Sequence, residues 1–128
     1  MTIEVEGEVN EHGMVIDFKD IKRILKPLVD AWDHATLVAA YDTDLKKAVE
    51  LLGSKYYELP YDSTSENMCQ YAVEFFLKNA GDVLVSQKIT RARVRIQETE
   101  TCYAELEVPI HTAIQQGDGH ASQLQAAL

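Results

Sequence analysis

Three stretches of this sequence carry side chains that could do chemistry. The first ends at Glu98, inside a run from Arg91 to Val108 that reads as two strands joined by a tight turn. Side chains alternate along a strand, so Ala92, Val94, Ile96 and Glu98 share one face, and Arg91, Arg93, Arg95 and Gln97 take the other. In the second strand Cys102, Ala104, Leu106 and Val108 form an apolar face, with Tyr103, Glu105 and Glu107 opposite. Glu98 is the one charge in line with core residues, a place where a carboxylate is costly unless donors meet it. Either it lies just past the strand end and reaches water, or it is held at the rim of a cleft. There it would receive a ligand with paired N–H groups, which a carboxylate accepts with two parallel hydrogen bonds. Matching the faces predicts Arg95 against Glu105, Arg93 against Glu107, Ile96 against Ala104, Val94 against Leu106 and Glu98 against Cys102.

The second stretch is Asp33-His34, the one histidine in a connection between packed elements with a carboxylate beside it. An aspartate can orient an imidazole for proton transfer; the plain alternative is a hydrogen-bonded surface pair. The third is Ser63-Thr64-Ser65-Glu66, with the spacing of a capping box and hydroxyls that could also line a cleft. Other groups carry less. His12 belongs to a turn, His111 and His120 belong to the tail, and no two of the four histidines have a zinc-type spacing. Cys69, beside Met68 and Tyr71, and Cys102, on a face with Ala104, read as packing residues. The Arg91/Arg93/Arg95 run reads as a solvated or ion-paired face before a phosphate site.

The elements that position these residues follow from periodicity. Thr2 to Val9 alternates as a half-buried strand, Asn10 to Gly13 forms a turn, and Met14 to Phe18 reads as a second, returning strand. From Lys19 the period becomes helical, with Ile21, Ile24, Leu25, Leu28, Val29 and Trp32 on one stripe and Pro27 expected to kink or end it. After a connection, Thr43 can cap a short helix through Leu52 that Gly53 closes. Tyr56 to Tyr61 reads as a linker broken by Pro60. A further helix buries Met68, Tyr71, Ala72, Phe75 and Phe76 and is expected to stop at Asn79-Ala80-Gly81, with Gly81 at positive φ. Val83 to Glu98, with a break near Gln87-Lys88, is the third strand, and Thr101 to Val108 the fourth. Gln115 to Gly119 reads as a loop, and the Gln- and Ala-rich end as at best a loose helix. The fold class is α+β: an antiparallel sheet with helices on one face, one domain over 1–108 and a tail over 109–128.

At 128 residues, with 46% apolar and 26% charged residues, the composition is that of a single globular domain. A net charge of -9 gives a nucleic-acid partner no electrostatic support. No apolar run suits a membrane span, no signal-peptide pattern opens the chain, and the two cysteines lack metal spacing; a cytoplasmic protein is expected.

Taken together, these pieces resemble the 6-pyruvoyl-tetrahydropterin synthase / 6-carboxytetrahydropterin synthase family. The resemblance rests on Glu6-Gly7-Glu8-Val9 through Gly13-Met14-Val15-Ile16-Asp17-Phe18, on Trp32-Asp33-His34 with Leu37, and on Ser63-Thr64-Ser65-Glu66-Asn67. The last match is Gln97-Glu98-Thr99 with Thr101 and Ala104, so the resemblance spans about residues 2 to 108. It implies a T-fold in ββααββ order, a helix pair on one face, and subunits joined edge to edge as a trimer or hexamer with active sites at interfaces. The implied substrate is 7,8-dihydroneopterin triphosphate, and the implied activity is that of a lyase. Its product is 6-pyruvoyl-tetrahydropterin or, on the route to queuosine-type bases, 6-carboxytetrahydropterin. By the same resemblance Glu98 grips the 2-amino and N3 edge of the pterin, and Thr64, Ser65 and Thr99 line its pocket. Asp33 and His34 are the implied acid-base pair.

The chain departs from the family at its start. The family has a strand before residue 2 carrying a zinc-binding histidine, then a catalytic cysteine and a His-x-His pair; this sequence begins where those motifs end. The first strand is thus expected to be missing, no cofactor is supported by this chain, and neither Cys69 nor Cys102 takes the nucleophile's place. Two expectations follow: a family synthase without its zinc hairpin, or a metal-free pterin- or purine-binding T-fold protein without full lyase activity. Residues 109 to 128 could then cover the sheet edge a missing strand leaves open.

Overall fold

A computed structural model describes residues 1–110 and the backbone of 123–127. The elements are β1 (Thr2–Gly7), α1 (Phe18–Trp32), β2 (Thr36–Ala39), α2 (Thr43–Leu52), β3 (Tyr56–Leu59), α3 (Ser65–Ser86), β4 (Ile89–Gln97), β5 (Tyr103–Pro109) and β6 (Gln123–Ala127). β1, β4, β5 and β6 lie side by side in an antiparallel sheet, and β2 and β3 form a separate parallel pair. Ile21, Leu25 and Leu28 of α1 and Ala72, Phe76 and Leu84 of α3 share one core with the inward face of β4 and β5.

The register of β4 and β5 is the one the face-matching predicts. Ile96 faces Ala104, Val94 faces Leu106, Arg95 faces Glu105 and Arg93 faces Glu107. The arginines are ion-paired: Arg95 Nη2 lies 2.6 Å from Glu105 Oε2, and Arg93 Nη2 lies 3.3 Å from Glu107 Oε2. β1 extends the same pattern, with Glu4 opposite Arg93 and a 3.1 Å ion pair between them.

Several expectations are corrected. Met14 to Phe18 is not a strand: after the turn closed by Asn10 and Gly13, Asp17 caps α1 by accepting from Lys19 N at 2.8 Å, and the helix starts at Phe18. A helix cap at Asp17 leaves too few residues for a returning strand. α1 also continues through Pro27 to Trp32. Tyr56 to Tyr61 is no linker, because Tyr56–Leu59 pairs in parallel with Thr36–Ala39 through α2 as the crossover. Val38 and Leu59, both at 0% exposure, explain why these short strands form. α2 is capped by Asp42 rather than Thr43, while Gly53 closes it at φ 67 as expected. The stop at Gly81 is overridden. Ala80 and Leu84 are buried on either side of it, so packing carries α3 on to Ser86, and the chain turns at Gln87 and Lys88 instead. β4 therefore begins at Ile89, not Val83. At the other end, residues 123–127 are a strand and not a helix. β6 lies along β5, the edge opposite β1, whose outer side has no strand partner among the described residues. His111, His120 and the expected loop over 115–119 lie outside the described residues.

Two glycines give opposite expectations. A Cβ on Gly7 would sit 2.9 Å from the Lys88 carbonyl oxygen and 3.1 Å from Ile89 Cα, both backbone atoms that cannot yield cheaply. A Cβ on Gly81 would meet nothing within 4 Å. Gly7→Ala should lower the unfolding free energy by about 1–3 kcal/mol. Gly81→Ala should raise it by roughly 0.5–1 kcal/mol, because alanine loses less backbone entropy in a helix. Urea denaturation of the two variants beside the parent checks both signs.

Candidate functional site

The two ends of the helix layer carry the candidate chemistry. α3 starts where Thr64 Oγ1 accepts from Asn67 N at 3.2 Å, so Thr64 is the cap and the expected Ser63–Glu66 box is shifted by one residue. The loop before it is pinned from both sides: Asn67 Nδ2 donates to the Asp62 carbonyl at 2.9 Å, and the Tyr41 hydroxyl donates to the Asp62 carboxylate. Ser65, the first helical residue, points its hydroxyl across to Glu98, and Oγ lies 3.3 Å from Glu98 Oε2. The same Oγ is 3.4 Å from Glu66 Oε2, so its single proton is shared between two carboxylates.

Glu98 stands one residue beyond β4, where its backbone N–H donates to the Cys102 carbonyl at 2.9 Å and closes the turn. The side chain is exposed, and among the described residues Oε1 takes no hydrogen bond. Glu98 thus lies past the strand end and reaches water, and it stands against the N-terminus of α3, where the helix favours an anion. Thr99 makes a turn contact. Its Oγ1 accepts from Cys102 N at 3.0 Å, so its hydroxyl serves the turn.

Asp33 and His34 follow the last residue of α1. His34 Nδ1 lies 3.0 Å from Asp33 Oδ1, with side-chain exposures of 91% and 68%, so the pair is open to solvent. Trp32, just before it, packs against Tyr57 of β3 and Tyr71 of α3, with ring centroids 6.3 and 5.9 Å away. The Tyr57 and Tyr71 hydroxyls are 2.6 Å apart, and burial, helped by that hydrogen bond, pushes the Tyr71 phenol up to about 12. No hydrogen bond joins Asp33 or His34 to Glu98, Ser65 or Thr64 among the described residues. The structure thus brings Ser65 to Glu98 and Asp33 to His34 as two separate groups. The sequence reading missed Tyr41 and Asp62, which fix the loop before α3; a tyrosine and an aspartate so far apart give no local signal.

The chain matches the family model described as 6-pyruvoyl tetrahydropterin synthase over residues 1–109. It belongs to that family. Among family relatives, the 6-carboxy-5,6,7,8-tetrahydropterin synthase of Rickettsia typhi is 31% identical over 103 residues, covering 78% of this chain and 72% of the relative. The one of Haemophilus influenzae is 26% identical over 113 residues, covering 82% and 75%. The solved 6-pyruvoyl tetrahydropterin synthase of Plasmodium falciparum superposes with a TM-score of 0.69 at 21% identity, covering 84% of this chain and 77% of that one. At that identity the likeness shows the fold, which is the expected T-fold.

The side chains of the described residues do not fit the zinc that the resemblance implies. Among the described residues no three His, Cys, Asp or Glu side chains converge as a metal site. His12 lies 3.4 Å from Glu11 and His34 lies 3.0 Å from Asp33, with no further ion pair between either histidine and a carboxylate among the described residues. Cys69 is buried, with Sγ 3.3 Å from the Ala104 carbonyl oxygen, and burial pushes its thiol up to about 11, which suits packing and not nucleophilic attack.

The cap assignment is checked by two neighbouring substitutions. Thr64→Ala removes the acceptor for Asn67 N and should cost about 1 kcal/mol of stability. Ser63→Ala, at the position the sequence pattern favoured, should stay within about 0.5 kcal/mol of the parent. Thermal or urea unfolding that ranks them the other way would restore Ser63 as the cap.

Proposed function

We propose that this family member binds 7,8-dihydroneopterin triphosphate or a closely related pterin through Glu98. The Asp33–His34 pair then moves a proton on the substrate's side chain, as part of tetrahydropterin synthase chemistry. The observation that carries the reading is the Glu98 carboxylate: exposed at the end of β4, steadied through one oxygen by Ser65, with the other oxygen open. A pterin's amino group and ring N–H form a planar donor pair that a carboxylate accepts side by side, each bond contributing roughly 1.5–3 kcal/mol when shielded from water. Thr64 and Ser65 would form the pocket wall beside it. His34 would accept or donate the proton at its Nε2 while Asp33 holds Nδ1.

Binding and turnover are separable in this reading. Binding rests on Glu98 and turnover on His34. A chain that binds pterin without turnover would be a pterin- or purine-binding T-fold protein. Among the described residues no helix is long and apolar enough to cross a membrane.

Glu98→Gln would set a donor against a donor, so affinity for neopterin should fall about tenfold or more while the fold survives. Glu100, exposed in the same turn, is the control and should tolerate the change to Gln. Calorimetric titration of the three proteins decides; equal binding by parent and Glu98→Gln would remove the anchor. The proposal also requires subunits joined at their sheet edges, because the outer side of β1 is unpartnered among the described residues. Sedimentation at micromolar concentration should therefore show a trimer or hexamer, and a single species near 14.4 kDa would contradict it.

A further inference from the structure

α1 ends with no basic residue in its last turn, although the free carbonyls at a helix C-terminus attract cations. The cation comes from elsewhere in the chain. Lys55, just before β3, sends Nζ to the Asp33 carbonyl oxygen at 2.8 Å and the Asp30 carbonyl oxygen at 2.5 Å. Its own carbonyl accepts from Thr36 N at 3.0 Å, at the start of β2. One residue therefore grips the backbone immediately before His34 with its side chain and two residues after it with its main chain. Between these grips Ala35 N donates back to the Trp32 carbonyl at 3.1 Å.

The backbone so held is unusual. His34 has φ 55, and Lys88 is the only other non-glycine in the left-handed region among the described residues. That conformation is unfavourable for a residue with a Cβ, and it persists where surrounding contacts over-determine it. We infer that Lys55 is a positioning residue for His34. By tying the end of α1 to the start of β2, it fixes the reversed backbone that sets the imidazole beside the Asp33 carboxylate. The inference rests on reading Asp33–His34 as the proton-transfer pair, and it adds a third residue, from a different element, on which the geometry of that pair depends.

The test uses the full chain, isotope-labelled, with Lys55→Met and Lys55→Arg beside the parent. A left-handed φ brings a residue's own amide and α protons unusually close, so His34 in the parent should give a strong intraresidue NOE. Lys55→Met should lose that enhancement and shift the imidazole nitrogens of His34, while the amide signals of α1 up to Val29 stay in place. Lys55→Arg should keep the parent pattern, because a guanidinium can also donate to two carbonyls. An unchanged His34 NOE and unchanged imidazole shifts in Lys55→Met would overturn the inference. So would loss of signals throughout α1, which would make Lys55 a support for the helix alone. The parent reading has its own arm: if His34→Gln keeps full turnover, His34 is not the proton carrier, whatever Lys55 does to its backbone.

Discussion

Between β4 and β5, Ala92 faces Val108, Val94 faces Leu106 and Ile96 faces Ala104, and none of the six is more than 7% exposed. On the other side of the same strands Arg91, Arg93 and Arg95 meet Glu105 and Glu107. Magnitudes decide which face sets the register. Fully burying a valine, leucine or isoleucine contributes roughly 1.5–3 kcal/mol, whereas a cross-strand ion pair contributes about 0.2–1 kcal/mol. The charges complement a pairing that the apolar face imposes. A slip of one residue would turn Arg93 and Arg95 under α3 and every core residue outward, so no neighbouring register competes. α3 covers the apolar face of this pair, and α1 lies against α3 in the same core.

The position of Glu98 is a consequence of that register. With Ile96 fixed opposite Ala104, the turn must close where Glu98 N meets the Cys102 carbonyl. The carboxylate is then delivered past the end of the sheet to the first turn of α3. Thr99 is spent on the turn itself. A residue that the resemblance assigned to the pocket thus does the local work of keeping Glu98 at the strand end.

What was legible in the sequence follows from the range of the signal. Period-two alternation over 18 residues, from Arg91 to Val108, overdetermines a strand pair, and its partners could be named one by one. The helical stripe from Ile21 to Trp32 and the αL glycine at Gly53 were legible for the same reason: several residues in a row agree. The parallel strands Thr36–Ala39 and Tyr56–Leu59 were not. Four residues cannot show a period, and a parallel pair exists only through contacts made across α2. Asn79-Ala80-Gly81 carries a genuine local stop signal, and the burial of Ala80 and Leu84 in the shared core outweighs it. Asp17 worked the other way: the apolar run around it suggested a strand, but one carboxylate accepting the Lys19 amide starts a helix there. Glu98 and Asp33–His34 were found from residue type and position. Their supports, Ser65 for one and Lys55 for the other, come from distant segments that only the folded chain brings together.

The two groups hang on different parts of the molecule. Glu98 is carried by the β4–β5 pair, whose inward residues are buried, while Asp33 and His34 sit between α1 and the small β2–α2–β3 unit. Besides the packing of α1 on α3, the aromatic cluster at the end of α1 links the two parts. Trp32 lies edge-on to Tyr57 and tilted over Tyr71, and the two tyrosine hydroxyls meet at 2.6 Å. Tyr57 belongs to β3 and Tyr71 to α3, so the cluster ties the strand next to Lys55 to the helix whose first residue holds Glu98. The loop over residues 60–64 also spans the two parts, but it is exposed for most of its length. A half-buried cluster of three rings resists displacement more than such a loop does. Side-chain packing around Trp32 therefore contributes to the spacing between the carboxylate and the imidazole within one chain, through residues that touch neither group.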